Sequence, residues 1–307
     1  MKQEALLIIG ISEKDANLYY ASRFLAPDPF ALIIINDRKI IITSDLEIDR
    51  AKKESCADTV LSTSLLRDSL KKQGKDDITY IDLIDKVLKE FCIESLVVPY
   101  NFWIEYADGL RQKGYKIHYK REPFFKERII KRPDEVDNIR ETLRAAEKAM
   151  NRAIRIIADA DVKNGLLYSG GTPLTSEIIK REILVELLLH DCIAERTIVS
   201  CGEQTCDPHD EGRGPLHADQ PIIIDIFPKS LKNRYHADIT RTVVKGRASE
   251  RLKRMYEVVI EAQNKAFQLI KDGAEGSMIH KEVLNVMEKR GFLTGYINGR
   301  MQGFFHG

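Results

Sequence analysis

The stretch Pro221-Ile222-Ile223-Ile224-Asp225-Ile226-Phe227-Pro228 constrains this chain more than any other. Three isoleucines precede Asp225, and Ile226 and Phe227 follow it, a run that predicts a buried strand. A carboxylate inside such a run is costly to desolvate unless a cation or strong donors meet it. A second strand-like segment, from Tyr235-His236-Ala237-Asp238-Ile239 through Thr240-Arg241-Thr242 to Val243-Val244, carries Asp238. Between the two lies a polar, turn-rich piece, Pro228 to Arg234, so the pair predicts a hairpin with its carboxylates side by side. Two such carboxylates repel. Either a hard or borderline divalent metal resolves the repulsion, or Asp225 forms a structural ion pair with Arg241.

The 307 residues are enough for two domains with sizeable cores. Lys and Arg number 48 against 47 Asp and Glu, a balance that points away from nucleic acid or a membrane surface as partner. Five scattered cysteines (56, 92, 192, 201 and 206), with no Cys-x-x-Cys, fit reduced thiols in a cytoplasmic protein. The apolar run Leu6–Ile9 is too short for a signal peptide or a membrane span.

Residues 1–125 alternate strand-like and helix-like segments. Strands are predicted at 6–11, 31–35, 40–43, 96–99 and 117–119, and amphipathic helices at 81–91 and 102–110, which together make an α/β domain with a mixed sheet. The pattern then changes. Pro133 with Asp134 and Glu135 behind it is a helix start. Apolar residues recur at helical spacing from Val136 to Ile157, so one long helix opens a second domain, 126–307. A loop containing Gly165, Gly170 and Gly171, a helix over 176–190, strands at 197–201, 221–227 and 235–245, and helices over 249–270 and 277–289 follow. This is an α+β domain, its antiparallel sheet covered by helices on one face.

The segment Asp225-Ile-Phe…Tyr235-His-Ala-Asp238-Ile-Thr-Arg-Thr resembles the metal-binding hairpin of the pita-bread metallopeptidases, the family of Xaa-Pro dipeptidases and aminopeptidases, methionine aminopeptidases and creatinase. Ile198–Gly202 with Pro208-His209, Lys271–His280, and Gly303-Phe-Phe-His306-Gly307 are similar to further elements of that family, in its order. The segments 17–24 and 43–51 resemble the creatinase-like amino-terminal domain of prolidases. The resemblance implies a cytoplasmic homodimer that hydrolyses the bond preceding proline in dipeptides or short peptides. It implies two divalent metals, manganese or cobalt ahead of iron or zinc, with Asp225 on one ion and Asp238 bridging both. His209 and His306 become groups that hydrogen-bond the substrate, and Thr240 and Arg241 support the carboxylates. A creatinase-like C–N hydrolase and a non-catalytic binding protein are the alternatives on the same scaffold. Retention of both aspartates argues against each.

Three features depart from the family pattern. The aspartates stand 13 positions apart (238 − 225), longer than the usual hairpin, which predicts a longer loop. Phe227-Pro228 replaces a glycine. Finally, the sequence stops at Gly307, short of the family's ligand histidine and two glutamates, so the pita-bread domain is expected to be incomplete and the 307-residue chain inactive.

Overall fold

The structure, a computed structural model, describes residues 3–297 and 299–304. The chain divides into two compact units, Met1–Lys131 and Arg132–Gly307.

The first unit runs β1 (Gln3–Gly10), α1 (Ala16–Ser22), β2 (Phe30–Ile35), β3 (Arg38–Thr43), α2 (Ile48–Glu54), β4 (Thr59–Ser62), α3 (Thr63–Lys72), α4 (Tyr80–Glu90), β5 (Ile93–Pro99), α5 (Ile104–Gln112) and β6 (Lys116–Lys120). Its six strands lie in the order β4-β3-β2-β1-β5-β6. β1 and β3 pair antiparallel with β2, whereas β3–β4, β1–β5 and β5–β6 pair parallel, giving the expected mixed sheet. Alternation sends Leu7, Ile9, Ile33, Ile40 and Ile42 into a core with Leu83, Val87 and Leu88 of α4. Ile8, Phe30, Leu32 and Ile41 enter a second core with Leu18 and Ala51 from α1 and α2. Because both faces are covered, the strands read as nearly unbroken apolar runs.

The second unit begins with α6 (Pro133–Asp159), followed by β7 (Asp161–Lys163), β8 (Leu166–Ser169), β9 (Thr172–Pro173) and α7 (Ser176–Leu188). The segment expected to be a loop is a small meander, β7-β8-β9. Asn164 and Gly165 at its first turn, and Gly170 and Gly171 at its second, all have positive φ. That is the backbone a two-residue type I′ hairpin turn demands. Next come β10 (Cys192–Ile193), β11 (Ile198–Cys201), β12 (Ile222–Ile226), β13 (Lys229–Ser230), β14 (Ile239–Val243), α8 (Glu250–Leu269), α9 (Gly276–Lys289), β15 (Gly295–Ile297) and β16 (Arg300–Gln302).

The central sheet, β11-β12-β14, is antiparallel. Ile222, Ile224 and Ile226 are fully buried against Ala145, Ala149 and Ala153 of α6 and Ile179 and Ile183 of α7. Ile223, Asp225 and Phe227, on the opposite face, are only half-buried. The strand expected to be buried throughout is therefore buried on one face, and Asp225 sits on the more open one. Its desolvation is correspondingly milder than the apolar run implies.

A hydrogen bond ties the hairpin to the first turn of α6. The Tyr235 hydroxyl donates to Oε1 of Glu135 at 2.6 Å, and the same buried carboxylate accepts the Arg132 backbone N–H at 3.0 Å. Tyr235→Phe removes a donor from a buried carboxylate, which should cost about 1.5–3 kcal/mol. A clear fall in the urea midpoint is expected, and an unchanged midpoint contradicts this role for Tyr235.

Candidate metal centre

Register brings the two predicted aspartates together. β12 and β14 pair from Ile222–Val243 to Ile226–Ile239, with Asp225 opposite Thr240. Pro228 cannot donate, but its carbonyl accepts the Ala237 N–H at 3.0 Å. The pairing then resumes at the Lys229–His236 bridge and closes where the Ser230 N–H donates to the Tyr235 carbonyl at 3.0 Å. The arms thus continue, in one register, as far as residues 230 and 235. The long spacing between the aspartates is mostly paired strand, and the expected longer loop is confined to residues 231–234. Residues opposite one another share a face, as do alternate residues along each arm. Asp225, Phe227, Asp238 and Thr240 therefore lie on one face, with Asp238 diagonal to Asp225.

The chemistry of the pair follows from that placement. Thr240 Oγ1 donates to Asp225 Oδ1 at 2.6 Å and fixes that carboxylate. Partial burial, then the Asp225 charge, then a hydrogen bond with Asp225 hold the Asp238 carboxyl above its ordinary value. Asp238 thus retains a proton more readily than a solvated aspartate, as expected for two carboxylates meeting without a cation. Arg241 is not that cation. Next to Thr240 in the strand, it alternates to the other face, and its guanidinium donates to the Thr240 carbonyl at 2.8 Å. Thr240 supports the pair as expected, whereas Arg241 does not bond the carboxylates.

The donor set fits a hard or borderline divalent ion, because two adjacent carboxylates supply oxygen ligands. Among the described residues no group of three or more His, Cys, Asp or Glu is assembled for a metal.

His209 lies on the exposed loop after β11, where its backbone N–H donates to Asp207 Oδ1 at 3.0 Å. This loop returns to the sheet where the Val199 N–H donates to the Glu211 carbonyl at 3.0 Å. Gly212 makes the return possible. Its φ is +78°, and a Cβ there would fall 1.8 Å from the Val199 carbonyl oxygen. Val199 pairs with Ile224, which places the His209 loop at the β11 edge, near the level of Asp225. His306 lies outside the described residues.

A feature absent from the sequence reading adjoins the pair. A cavity of about 200 Å³ is lined by Ile193, Glu195, Arg196, Phe227, Lys229 and His236. The only sequence signal for it is the two-residue spacing of His236 and Asp238, which sets them on one face. His236 itself is exposed.

The chain's likeness to known proteins is consistent with this picture. The model for Metallopeptidase family M24 matches residues 137–307. An Xaa-Pro dipeptidase of Pyrococcus furiosus is 25% identical over 298 residues, covering 94% of this chain and 75% of the relative. One from Pyrococcus horikoshii is 28% identical over 289 residues, covering 91% and 72%. Among solved structures, the prolidase from Pyrococcus furiosus superposes with a TM-score of 0.71 at 21% identity, covering 94% of this chain and 76% of that one. An Xaa-Pro dipeptidase from Bacillus anthracis gives 0.75 at 17% identity, covering 94% and 74%. At these identities the structural matches establish the fold.

The raised Asp238 carboxyl makes a signed prediction. A carboxyl whose folded pKa exceeds its unfolded value contributes stability at low pH that is lost as the pH rises through the folded value. Asp238→Asn removes that loss. In chelator, the variant should melt above the wild type near neutral pH, with the gap closing toward the carboxylate range. A variant melting below the wild type at neutral pH contradicts the repulsion between the pair.

Proposed function

The chain belongs to metallopeptidase family M24, and from that premise we propose that it is a metal-dependent Xaa-Pro dipeptidase or aminopeptidase, cleaving the bond before proline in dipeptides or short peptides. The observation that carries this reading is the Asp225–Asp238 pair, two meeting carboxylates whose repulsion only a proton or a cation relieves. Two divalent ions, manganese or cobalt in preference to iron or zinc, are the proposed occupants, and Asp225 and Asp238 would help hold them. The chemistry such ions would supply is Lewis acidity toward water and the scissile carbonyl. Thr240 holds Asp225 in one orientation, so the carboxylate need not reorganise when substrate arrives. His209 and His306 are proposed to hydrogen-bond the substrate and stabilise charge as it develops. The fold and the names of the Pyrococcus relatives support this reading.

Residues 1–125 are assigned to a creatinase-like amino-terminal domain and 126–307 to the pita-bread catalytic domain. No helix among the described residues is long and apolar enough to cross a membrane. The proposed setting is the cytoplasm, and the proposed assembly is a homodimer. Exposed apolar groups on the first unit, Tyr100, Trp103, Ile104 and Tyr119, support a self-association surface there. Sedimentation at micromolar concentration should give a dimer, and a monomer contradicts that part of the proposal.

The test of function uses full-length protein stripped by chelator and reloaded with manganese or cobalt. It should hydrolyse Xaa-Pro dipeptides or Xaa-Pro-extended peptides and spare their Xaa-Ala counterparts. Asp238→Ala should lower kcat/KM by more than about 100-fold and reduce bound metal, since ligand loss should exceed the effect of removing a supporting contact. Wild-type turnover in that variant sinks the assignment.

A further inference from the structure

The cavity beside the carboxylates has a chemistry of its own. The hairpin register carries one face of the sheet past the pair in successive rungs: Asp225–Thr240, then Phe227 with Asp238, then Lys229–His236. Rungs two residues apart are separated by roughly 7 Å. The Lys229–His236 rung therefore stands about one side-chain length beyond Asp238, and both its residues line the cavity with Phe227. Ile193, opposite Lys229 in the β10–β13 pair, adds an apolar wall.

The charges in this space are unevenly distributed. Arg196 is engaged elsewhere, its Nε 2.8 Å from Glu211 Oε1. Lys229, half-buried, makes no ion pair among the described residues. Lys229 stands opposite His236 in the hairpin, and both line the cavity. Glu195 also lines the cavity and is exposed. The hairpin side of the cavity thus sets the Lys229 ammonium, without an ion pair among the described residues, beside the apolar Phe227 and Ile193.

We propose that this cavity is a specificity pocket that receives an acidic side chain on the first residue of the substrate, with Lys229 as the group that pairs with it. The proposal rests on the Xaa-Pro reading above and adds the class of first residue preferred. Lys229 acts on substrate binding and not on the bond broken, and the aliphatic stem of an aspartate or glutamate side chain would lie along Phe227 and Ile193.

The experiment is calorimetric titration of the metal-free full-length protein with Glu-Pro, Leu-Pro and Lys-Pro, repeated with Lys229→Met and Lys229→Glu, and with the corresponding dipeptide amides. Wild type should bind Glu-Pro roughly tenfold more tightly than Leu-Pro, the size of one charge-assisted hydrogen bond. Lys229→Met should abolish that preference, and Lys229→Glu should invert it in favour of Lys-Pro. Equal binding of Glu-Pro and Leu-Pro by wild type overturns the proposal. So does a Lys229→Glu variant that keeps the wild-type order while giving a wild-type circular dichroism spectrum. If Lys229→Met weakens all three dipeptides alike, and amidation reproduces that loss, the cavity holds the chain terminus and the proposal fails. Hydrolysis is read separately. Charge-dependent binding without any cleavage in the reloaded protein refutes the peptidase reading and leaves the pocket standing, whereas cleavage without charge preference does the reverse.

Discussion

Two carboxylates close enough to share a proton form a costly arrangement, and the second unit is built so that it cannot be avoided. A one-residue slip of β12 against β14 would send Asp225 to the face occupied by Ile224 and bring the isoleucines out of the core. Ile222, Ile224 and Ile226, all fully buried against the alanines of α6 and the isoleucines of α7, rule that slip out. The same apolar burial that stabilises the sheet therefore holds Asp225 and Asp238 together against their repulsion. Hydrophobic packing is much larger in total than the electrostatic penalty at a half-exposed pair, so the pair persists. A cation bound there, as proposed, would meet ligands already brought together, so little binding energy would be consumed in assembling them.

The supports of the pair are arranged around the same hairpin. Thr240 donates to Asp225 from the facing strand, and Tyr235, at the tip, is tied to Glu135 at the start of α6. The Gly212 backbone closes the His209 loop against the edge of β11.

Much of this could be read before any coordinates. A charged residue among isoleucines marked Asp225, polar turn residues marked the hairpin, and Pro133 with two acids behind it marked the start of α6. The period-2 rule placed His236 on the same face as Asp238. Other features were obscured for identifiable reasons. Three consecutive isoleucines look alike whether one face or both are covered, so the half-exposure of Ile223 and Asp225 was hidden. Asn164-Gly165 and Gly170-Gly171 are hairpin turn signals, but the strands they join are only two to four residues long, too short for alternation to appear. β4 carries a single buried residue, Ser62, and gives no apolar run to detect. The cavity depends on Ile193 and Arg196 meeting a hairpin more than thirty positions later (229 − 196 = 33), which no local pattern encodes.

In the proposed cation site, Asp225 and burial hold the Asp238 carboxyl above its ordinary value when no cation is bound, and a cation would draw it back down. Proton release on metal addition measures this directly. Manganese is titrated into the metal-free protein at mildly acidic pH in two buffers of different ionisation enthalpy, so that the difference in heat counts protons. The account predicts release of protons with binding in the wild type, and loss of that release in Asp238→Asn. Metal binding of undiminished affinity in Asp238→Asn, with the same number of protons released, would contradict it.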